Sequence, residues 1–182
     1  MKAIFGLGNV GIRYKNNRHN VGFHFIDFVS LFYADQILSE RERFDGVIRE
    51  MIVDSEKILF VKPATLMNRS GDCVKKVVDF YKIPLEGVFI VHDDLDIKLG
   101  GYKLQHGKGP HMHNGVNDVS QKLGTSDYLR LRIGIENRDD KVIPGSAYVL
   151  SDFTKEESKE LRKVFRQALD EILIKYLCEG SK

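Results

Sequence analysis

The chain of 182 residues is poor in residues that mark several protein classes: it has two cysteines, four prolines and no tryptophan. Two cysteines cannot form a disulfide framework, so we expect a reducing, cytoplasmic location. No run approaches the roughly 18 consecutive apolar residues that a membrane span requires, and the N-terminal residues fit neither a signal peptide nor a transit peptide. The net charge of +2 does not by itself indicate nucleic acid. The composition therefore favours an ordinary globular protein without a membrane partner.

The order of apolar patterns along the chain predicts an α/β fold. Apolar runs predict strands at residues 2–7, 44–53, 57–62, 88–91, 101–106 and 128–135, the second and third forming a hairpin. Helical periodicity and capping residues predict helices after Asn20 and from Ser70 to Tyr81. A third helix is predicted from Gly115 to about Leu123, with Asn114 as its cap and Gly124 at its end. A fourth runs from Thr154 to Cys178 and opens with the capping box Thr154-Lys155-Glu156-Glu157. No linker or repeat interrupts the chain, so we predict a single domain, residues 1–182, with a mixed sheet covered by helices on both faces.

A glycine fingerprint, Gly6-Leu7-Gly8-Asn9-Val10-Gly11, follows the first predicted strand. Such a pattern can bind a dinucleotide if a helix begins at its third glycine. The residues that follow are polar and lack apolar periodicity, so an oxidoreductase is the minority interpretation. A turn that needs positive φ angles explains the glycines equally well, although it leaves Asn9 unexplained.

Histidines and carboxylates offer three kinds of site. The run His92-Asp93-Asp94-Leu95-Asp96 follows a predicted buried strand, where its carboxylates could bind magnesium or orient a histidine. A carboxylate that accepts an imidazole N–H would make His19 a base able to deprotonate water. Three histidines between residues 106 and 113 raise zinc as an alternative, but no cysteine lies at a zinc-binding spacing. Sequence alone leaves these alternatives open.

Two asparagines lie at predicted helix N-termini. Asn68 precedes one helix and Asn114 is the predicted cap of another. Capping alone would explain them. Free N–H groups and the helix dipole could also help amide side chains to hold a carbonyl or a water molecule.

Six motifs in this order resemble those of the bacterial-type peptidyl-tRNA hydrolases. The resemblance covers essentially the whole chain, and it rests on Gly6-Leu7-Gly8-Asn9, Arg18-His19-Asn20-Val21-Gly22, Met67-Asn68-Arg69-Ser70-Gly71, His92-Asp93-Asp94-Leu95-Asp96, His113-Asn114-Gly115 and Arg130-Leu131-Arg132-Ile133-Gly134-Ile135. It implies a monomeric, single-domain α/β/α sandwich with a twisted mixed sheet. It also implies hydrolysis of the ester between a peptide and the 3′-terminal ribose of tRNA, without a metal or other cofactor.

The resemblance also assigns roles to particular residues. It implies that His19 is the general base, that Asp93 orients it, and that Asn9 and Asn68 hold the peptidyl part while Asn114 positions water or substrate. Further substrate contacts are implied for the crevice and for the tRNA 3′ end and acceptor stem, at Tyr14, Asn20, Met67, Lys103, Lys108 and Arg132, with Arg130 as a further candidate.

Two departures from the family pattern concern substrate contact. Val10 replaces a usual proline, and His111-Met112 replace two usual glycines.

The positive charge of the chain is concentrated in one segment, because residues 98–132 contain six lysines and arginines against two aspartates. A non-catalytic RNA-binding module remains an alternative, which RNA binding without ester cleavage would favour.

Overall fold

The computed structural model describes residues 1–53, 56–107, 109, 112–139 and 142–177. The predicted strand or helix type is confirmed for every segment named above. Seven strands and five α-helices are present within those ranges, in the order β1 (Lys2–Gly6), α1 (Val21–Phe32), β2 (Ile37–Arg43), β3 (Gly46–Val53), β4 (Glu56–Pro63), α2 (Ser70–Tyr81), β5 (Val88–Lys98), β6 (Tyr102–His106), α3 (Asn114–Leu123), β7 (Leu129–Glu136), α4 (Gly145–Tyr148) and α5 (Lys155–Ile172). A π-helical turn, Leu173–Leu177, extends α5. Cys178 lies outside the described residues.

The strands form one mixed sheet in the order β2-β3-β4-β1-β5-β7-β6. The central strands β4, β1, β5 and β7 are parallel, whereas β2, β3 and β6 add antiparallel edges. Carboxyl ends of parallel strands meet at one edge of such a sheet, which is where ligand crevices form. This edge carries the polar motifs.

The sheet separates two apolar cores. Successive strand residues face opposite sides, so Ile4 packs against α1 and α5 while Phe5 packs against α2 and α3. The predicted α/β/α sandwich is confirmed. None of the described helices combines the length and the apolar character needed to cross a membrane.

Capping was predicted correctly at two helix ends. Thr154 and Glu157 form the reciprocal hydrogen bonds of a capping box at α5. Gly124 ends α3 in the left-handed conformation, with a φ of 72°. The prediction that Asn114 caps α3 was wrong: His113 is the cap, and its side chain accepts the Val116 N–H. Asn20 precedes α1 without a side-chain capping bond.

The strand predictions need three corrections. Strand β2 was missed because its sequence, ILSERER, is charged and mostly exposed and has no apolar alternation. Phe44, predicted to start a strand, instead forms a two-residue turn with Asp45, and both have positive φ angles. Strand β5 extends past residue 91 to Lys98, because β7 continues to pair with it through Asp94 and again at Lys98.

Candidate active site

The loop after β1 brings His19 to the sheet edge. Its glycines permit close packing, since a Cβ at Gly8 would lie 2.6 Å from the Phe23 ring. Of the three fingerprint glycines, only Gly11 has a positive φ, 113°. No α-helix begins at Gly11, where a 3₁₀ turn forms instead, and α1 starts at Val21. The structural context for dinucleotide binding is therefore absent.

Asp93 lies at the centre of a hydrogen-bonded triad with His19 and His113. One oxygen, Oδ1 of Asp93, is 2.8 Å from Nδ1 of His19 and 2.9 Å from Nε2 of His113. Asp93 and His113 are buried, whereas the His19 side chain is 12% exposed. The predicted His19–Asp93 pair is thus formed, and His19 is the member of the triad that is partly exposed to solvent.

The cap of α3 determines where the protons of this triad lie. Nδ1 of His113 accepts the Val116 N–H at 3.2 Å, so the proton of a neutral His113 is on Nε2 and is donated to Asp93. His19 donates from Nδ1 to the same carboxylate oxygen. Its Nε2 therefore carries a lone pair, and within the described chain that atom has no protein partner. A neutral imidazole with a free Nε2 is the form that can accept a proton.

Burial and the neighbouring groups shift the pKa values of Asp93, His19 and His92 in different directions. Burial opposes ionisation of Asp93, but the charges and hydrogen bonds of both imidazoles together hold its pKa below the ordinary value. Burial also disfavours the charged form of His19, yet Asp93 outweighs it and raises the pKa of His19. Burial, reinforced by His113, lowers the pKa of His92 to about 3. His92 is therefore neutral, and its Nδ1–H donates to the Asp93 carbonyl at 2.8 Å.

Asn9 connects the loop after β1 to two other segments of the crevice. Its Oδ1 accepts the Met67 N–H at 2.8 Å. The Asn20 amide binds both backbone groups of Asn9, accepting from the N–H at 2.8 Å and donating to the carbonyl at 2.9 Å. The Nδ2 group of Asn9 has no partner among the described residues. Asn9 is thus fixed in place while the two N–H donors of its Nδ2 group stay available. Asn20 helps to fix it, through both of its hydrogen bonds to the Asn9 backbone.

Asn68 and Asn114 lie on neighbouring segments. Asn68 is in the 3₁₀ turn Met67–Arg69, and Asn114 is the first residue of α3. Gly115 permits the two segments to pack closely, because a Cβ there would overlap Met67. Both asparagine side chains are exposed.

The structure can be compared with the magnesium and zinc sites that the sequence left open. Asp94 binds Arg132 and accepts the Asp96 N–H, so the acidic run does not converge on one cation. The clustered histidines also diverge: His106 lies 3.6 Å from Asp127, His113 binds Asp93, and His111 is outside the described residues. In the described chain, the one group of three metal-ligating side chains is the triad, whose ligand atoms lie within 4.8 Å of one another. Two imidazoles and a carboxylate are ligands that suit zinc. In this structure the same side chains are already joined by hydrogen bonds to Oδ1 of Asp93.

The predicted tRNA contacts have different surroundings. Lys103 is exposed on β6. Arg132 is only 10% exposed and its Nε lies 2.7 Å from Asp94 Oδ2. Arg130 is also buried; it contacts the Gly109 carbonyl and stacks over Tyr128. Tyr14 is half-buried beneath the Arg13 guanidinium, and Lys108 lies outside the described residues.

Comparison with known proteins decides the family. A family model described as peptidyl-tRNA hydrolase matches residues 3–181. The peptidyl-tRNA hydrolase of Listeria monocytogenes is 38% identical over 174 residues, which cover 94% of this chain and 90% of that protein. The chain belongs to the peptidyl-tRNA hydrolase family. A crystal structure of the Acinetobacter baumannii peptidyl-tRNA hydrolase is 32% identical with a TM-score of 0.84, covering 94% of this chain and 86% of that one. These matches confirm the family that the six motifs indicated, and they confirm that the chain is an enzyme of this family.

Sequence reasoning missed one member of this peptidyl-tRNA hydrolase site. His113 was named in a histidine-rich stretch and in the motif His113-Asn114-Gly115, but no role was assigned to it, although it binds the same oxygen as His19. Its position directly before Asn114-Gly115, at the start of a helix, was the available signal. A histidine at an N-cap can cap the helix through Nδ1 while its Nε2 binds a residue on a neighbouring strand.

Proposed function

We propose that this chain hydrolyses the ester that joins a peptide to the 3′-terminal ribose of tRNA, releasing peptide and free tRNA. The observation that carries the proposal is the His19 ring, which is hydrogen-bonded to Asp93 through Nδ1, has no partner for Nε2 within the described chain and is 12% exposed. An ester is already activated, so a positioned water, a base and hydrogen-bond donors suffice for its cleavage.

In the proposed reaction, Nε2 of His19 takes a proton from water as the water oxygen attacks the ester carbonyl. The resulting imidazolium is stabilised by the buried carboxylate of Asp93. His19 then returns the proton to the departing ribose oxygen. A positioned general base of this kind contributes about 10²–10⁴-fold to the rate.

Amide groups complete the proposed site. The free Nδ2 group of Asn9 can donate to a peptidyl carbonyl without any reorganisation, because Met67 and Asn20 fix its side chain and backbone. We assign Asn68 to the peptidyl part as well, and Asn114 to the water or the substrate. Their exposure at the ends of two closely packed segments leaves both amides accessible to a ligand. Donors fixed in advance stabilise a developing oxyanion most effectively.

We assign contacts with the tRNA to Tyr14, Lys103 and Lys108, and a supporting role behind them to Arg132. Lys103 is exposed and can contact phosphate directly. The contribution of Arg132 is to hold Asp94 and the β5–β7 pair. We further propose that the chain acts as a cytoplasmic monomer.

The proposed reaction needs no metal, because His19 acts as the base and its hydrogen bond to Asp93 orients it. The same three side chains could bind zinc, however, so the mechanism is to be tested in excess chelator. Undiminished turnover under chelation supports a reaction that uses His19 alone as the base. Loss of turnover that zinc restores would contradict it.

The decisive experiment measures peptide release from N-acetyl-aminoacyl-tRNA. We expect His19→Ala to lower kcat by about 10²–10⁴-fold while leaving the affinity for tRNA largely intact. His106→Ala is the matched control, because His106 is an exposed histidine paired only with Asp127 among the described residues. Undiminished turnover in His19→Ala would remove His19 from the mechanism, and tRNA binding without peptide release by the unmodified chain would favour a non-catalytic RNA-binding module.

A further inference from the structure

An open pocket lies outside the triad, between the polar loop that precedes α1 and the first turns of α5. Its volume is about 400 Å³. We call it the α5 pocket; its lining residues are Asn16, His24, Phe153, Lys155, Ser158, Lys159 and Arg162. The lining thus combines two aromatic rings, those of Phe153 and His24, with three lysine or arginine side chains and contains no carboxylate.

The cations of the α5 pocket are not paired. Lys155, Lys159 and Arg162 are spaced by four and three residues, so they share one face of the helix. None of them forms an ion pair with another described residue. Elsewhere on α5 the cations do pair: Lys163 lies 2.7 Å from Glu160, and Arg166 lies 3.0 Å from Asp170.

The position of these charges works against the stability of α5. Lys155 stands in the first turn of α5, the positive end of the helix dipole, where a cation is unfavourable, and Lys159 and Arg162 follow one and two turns later. Of the two carboxylates in that turn, Glu157 is buried and bound to Arg18 at 2.9 Å, and Glu156 is exposed and does not line the pocket. Mutual repulsion adds to the cost, so this arrangement is better suited to binding an anion than to holding the fold together.

The α5 pocket lies close to His19 along two paired segments. The His19 N–H donates to the Val149 carbonyl at 2.8 Å, and the Phe153 N–H donates to the Asn16 carbonyl at 3.0 Å. Asn16, at the pocket, is three residues from His19. An extended chain of that length spans at most about 10 Å. Asn16 therefore lies within a distance of His19 that a few nucleotides of RNA can span.

We propose that the α5 pocket binds a backbone phosphate of the RNA substrate, within a few nucleotides of the ester. The proposal rests on the proposed function, because it assumes that the ester cleaved at His19 belongs to an RNA. Phosphate accompanies every such substrate whatever its peptide, which favours RNA over an acidic peptide as the ligand. Three unpaired cations on one face of α5 supply charge of the opposite sign and hydrogen-bond donors to the oxygens of a phosphodiester.

The test compares two double variants with the same change in net charge. Lys159→Gln/Arg162→Gln removes charge from the α5 pocket, and Lys163→Gln/Arg166→Gln removes it from the paired part of the same helix. Binding of fluorescently labelled deacylated tRNA is measured from 50 to 300 mM KCl. The slope of log Kd against log salt should decrease by about 1 for each phosphate that the variant no longer binds. We expect this decrease in the pocket variant and little change in the control.

Peptide release from N-acetyl-aminoacyl-tRNA provides the second measurement. The pocket variant should have a raised KM and an unchanged kcat, since the triad is untouched. Equal slopes in both double variants would overturn the pocket proposal even if the enzyme is fully active. Absence of peptide release by the unmodified chain would instead contradict the proposed function, so the two failures are distinguishable.

Discussion

The buried carboxylate of Asp93 is the group whose replacement tests the mechanism most sharply. In Asp93→Asn the shape is nearly preserved, but the negative charge 2.8 Å from the His19 ring is lost. With charge centres about 4 Å apart and an effective dielectric constant of about 20, that carboxylate stabilises the imidazolium by about 4 kcal/mol. This corresponds to about 10³ in rate if the imidazolium is fully formed in the transition state. An amide that turns its NH₂ towards Nδ1 would also put the His19 proton on Nε2 and block the base.

The assay is the pH dependence of kcat/KM for peptide release. Neutral His19 is the active form, so activity falls as the pH decreases through the pKa of His19, which Asp93 raises above its ordinary value. Removing the carboxylate leaves burial as the main influence, so the acidic limb should move to lower pH while the maximal rate falls about 10³-fold. Asp96→Asn is the control, because Asp96 is an exposed carboxylate of the same strand. An acidic limb that stays in place at an undiminished rate would refute the assignment of His19 and Asp93.

Three further variants separate structural from binding roles. His113→Ala removes both the cap of α3 and a donor to Asp93, so it should lower the free energy of unfolding by about 2 kcal/mol in urea titrations and also reduce kcat; full activity would contradict its place in the triad. Arg132→Ala leaves the buried Asp94 charge unpaired and should cost about 3–5 kcal/mol of unfolding free energy, whereas an unchanged urea midpoint would contradict the structural role of this pair. Lys103→Ala should leave the urea midpoint unchanged and reduce the salt slope of tRNA binding by about 1, and an unchanged slope would exclude it as a phosphate contact.

Local patterns were sufficient to predict most of the fold. The helix from Ser70 to Tyr81 and the capping box at Thr154 depend on residues within one or two turns, and both were predicted correctly. Strand β2 could not be predicted, because pairing with β3 rather than apolar alternation forms it. Its turn at Phe44-Asp45 lacks the Asn-Gly sequence that marks such hairpins.

Within the site, the His19–Asp93 pair could be predicted and the role of His113 could not. The motif resemblance suggested which carboxylate would meet His19, although 74 residues separate the two. Nothing in the motif indicates that a second imidazole shares the same oxygen. That contact requires α3 to begin above the carboxyl end of β5, which depends on the close packing of Gly115 against Met67. The prediction that Asn114 caps α3 failed because His113, the residue before it, performs that role.

The length of β5 explains why the carboxylates of the acidic run do not converge on one cation. Asp93 and Asp94 are adjacent in an extended strand, so their side chains leave opposite faces of the sheet. On one face Asp93 accepts from two imidazoles, and on the other Asp94 pairs with Arg132. Had the strand ended at Val91, as the apolar run predicts, both carboxylates would lie on a loop that could fold around one cation. Continued pairing with β7 thus divides the charges between a base-orienting carboxylate and an internal ion pair.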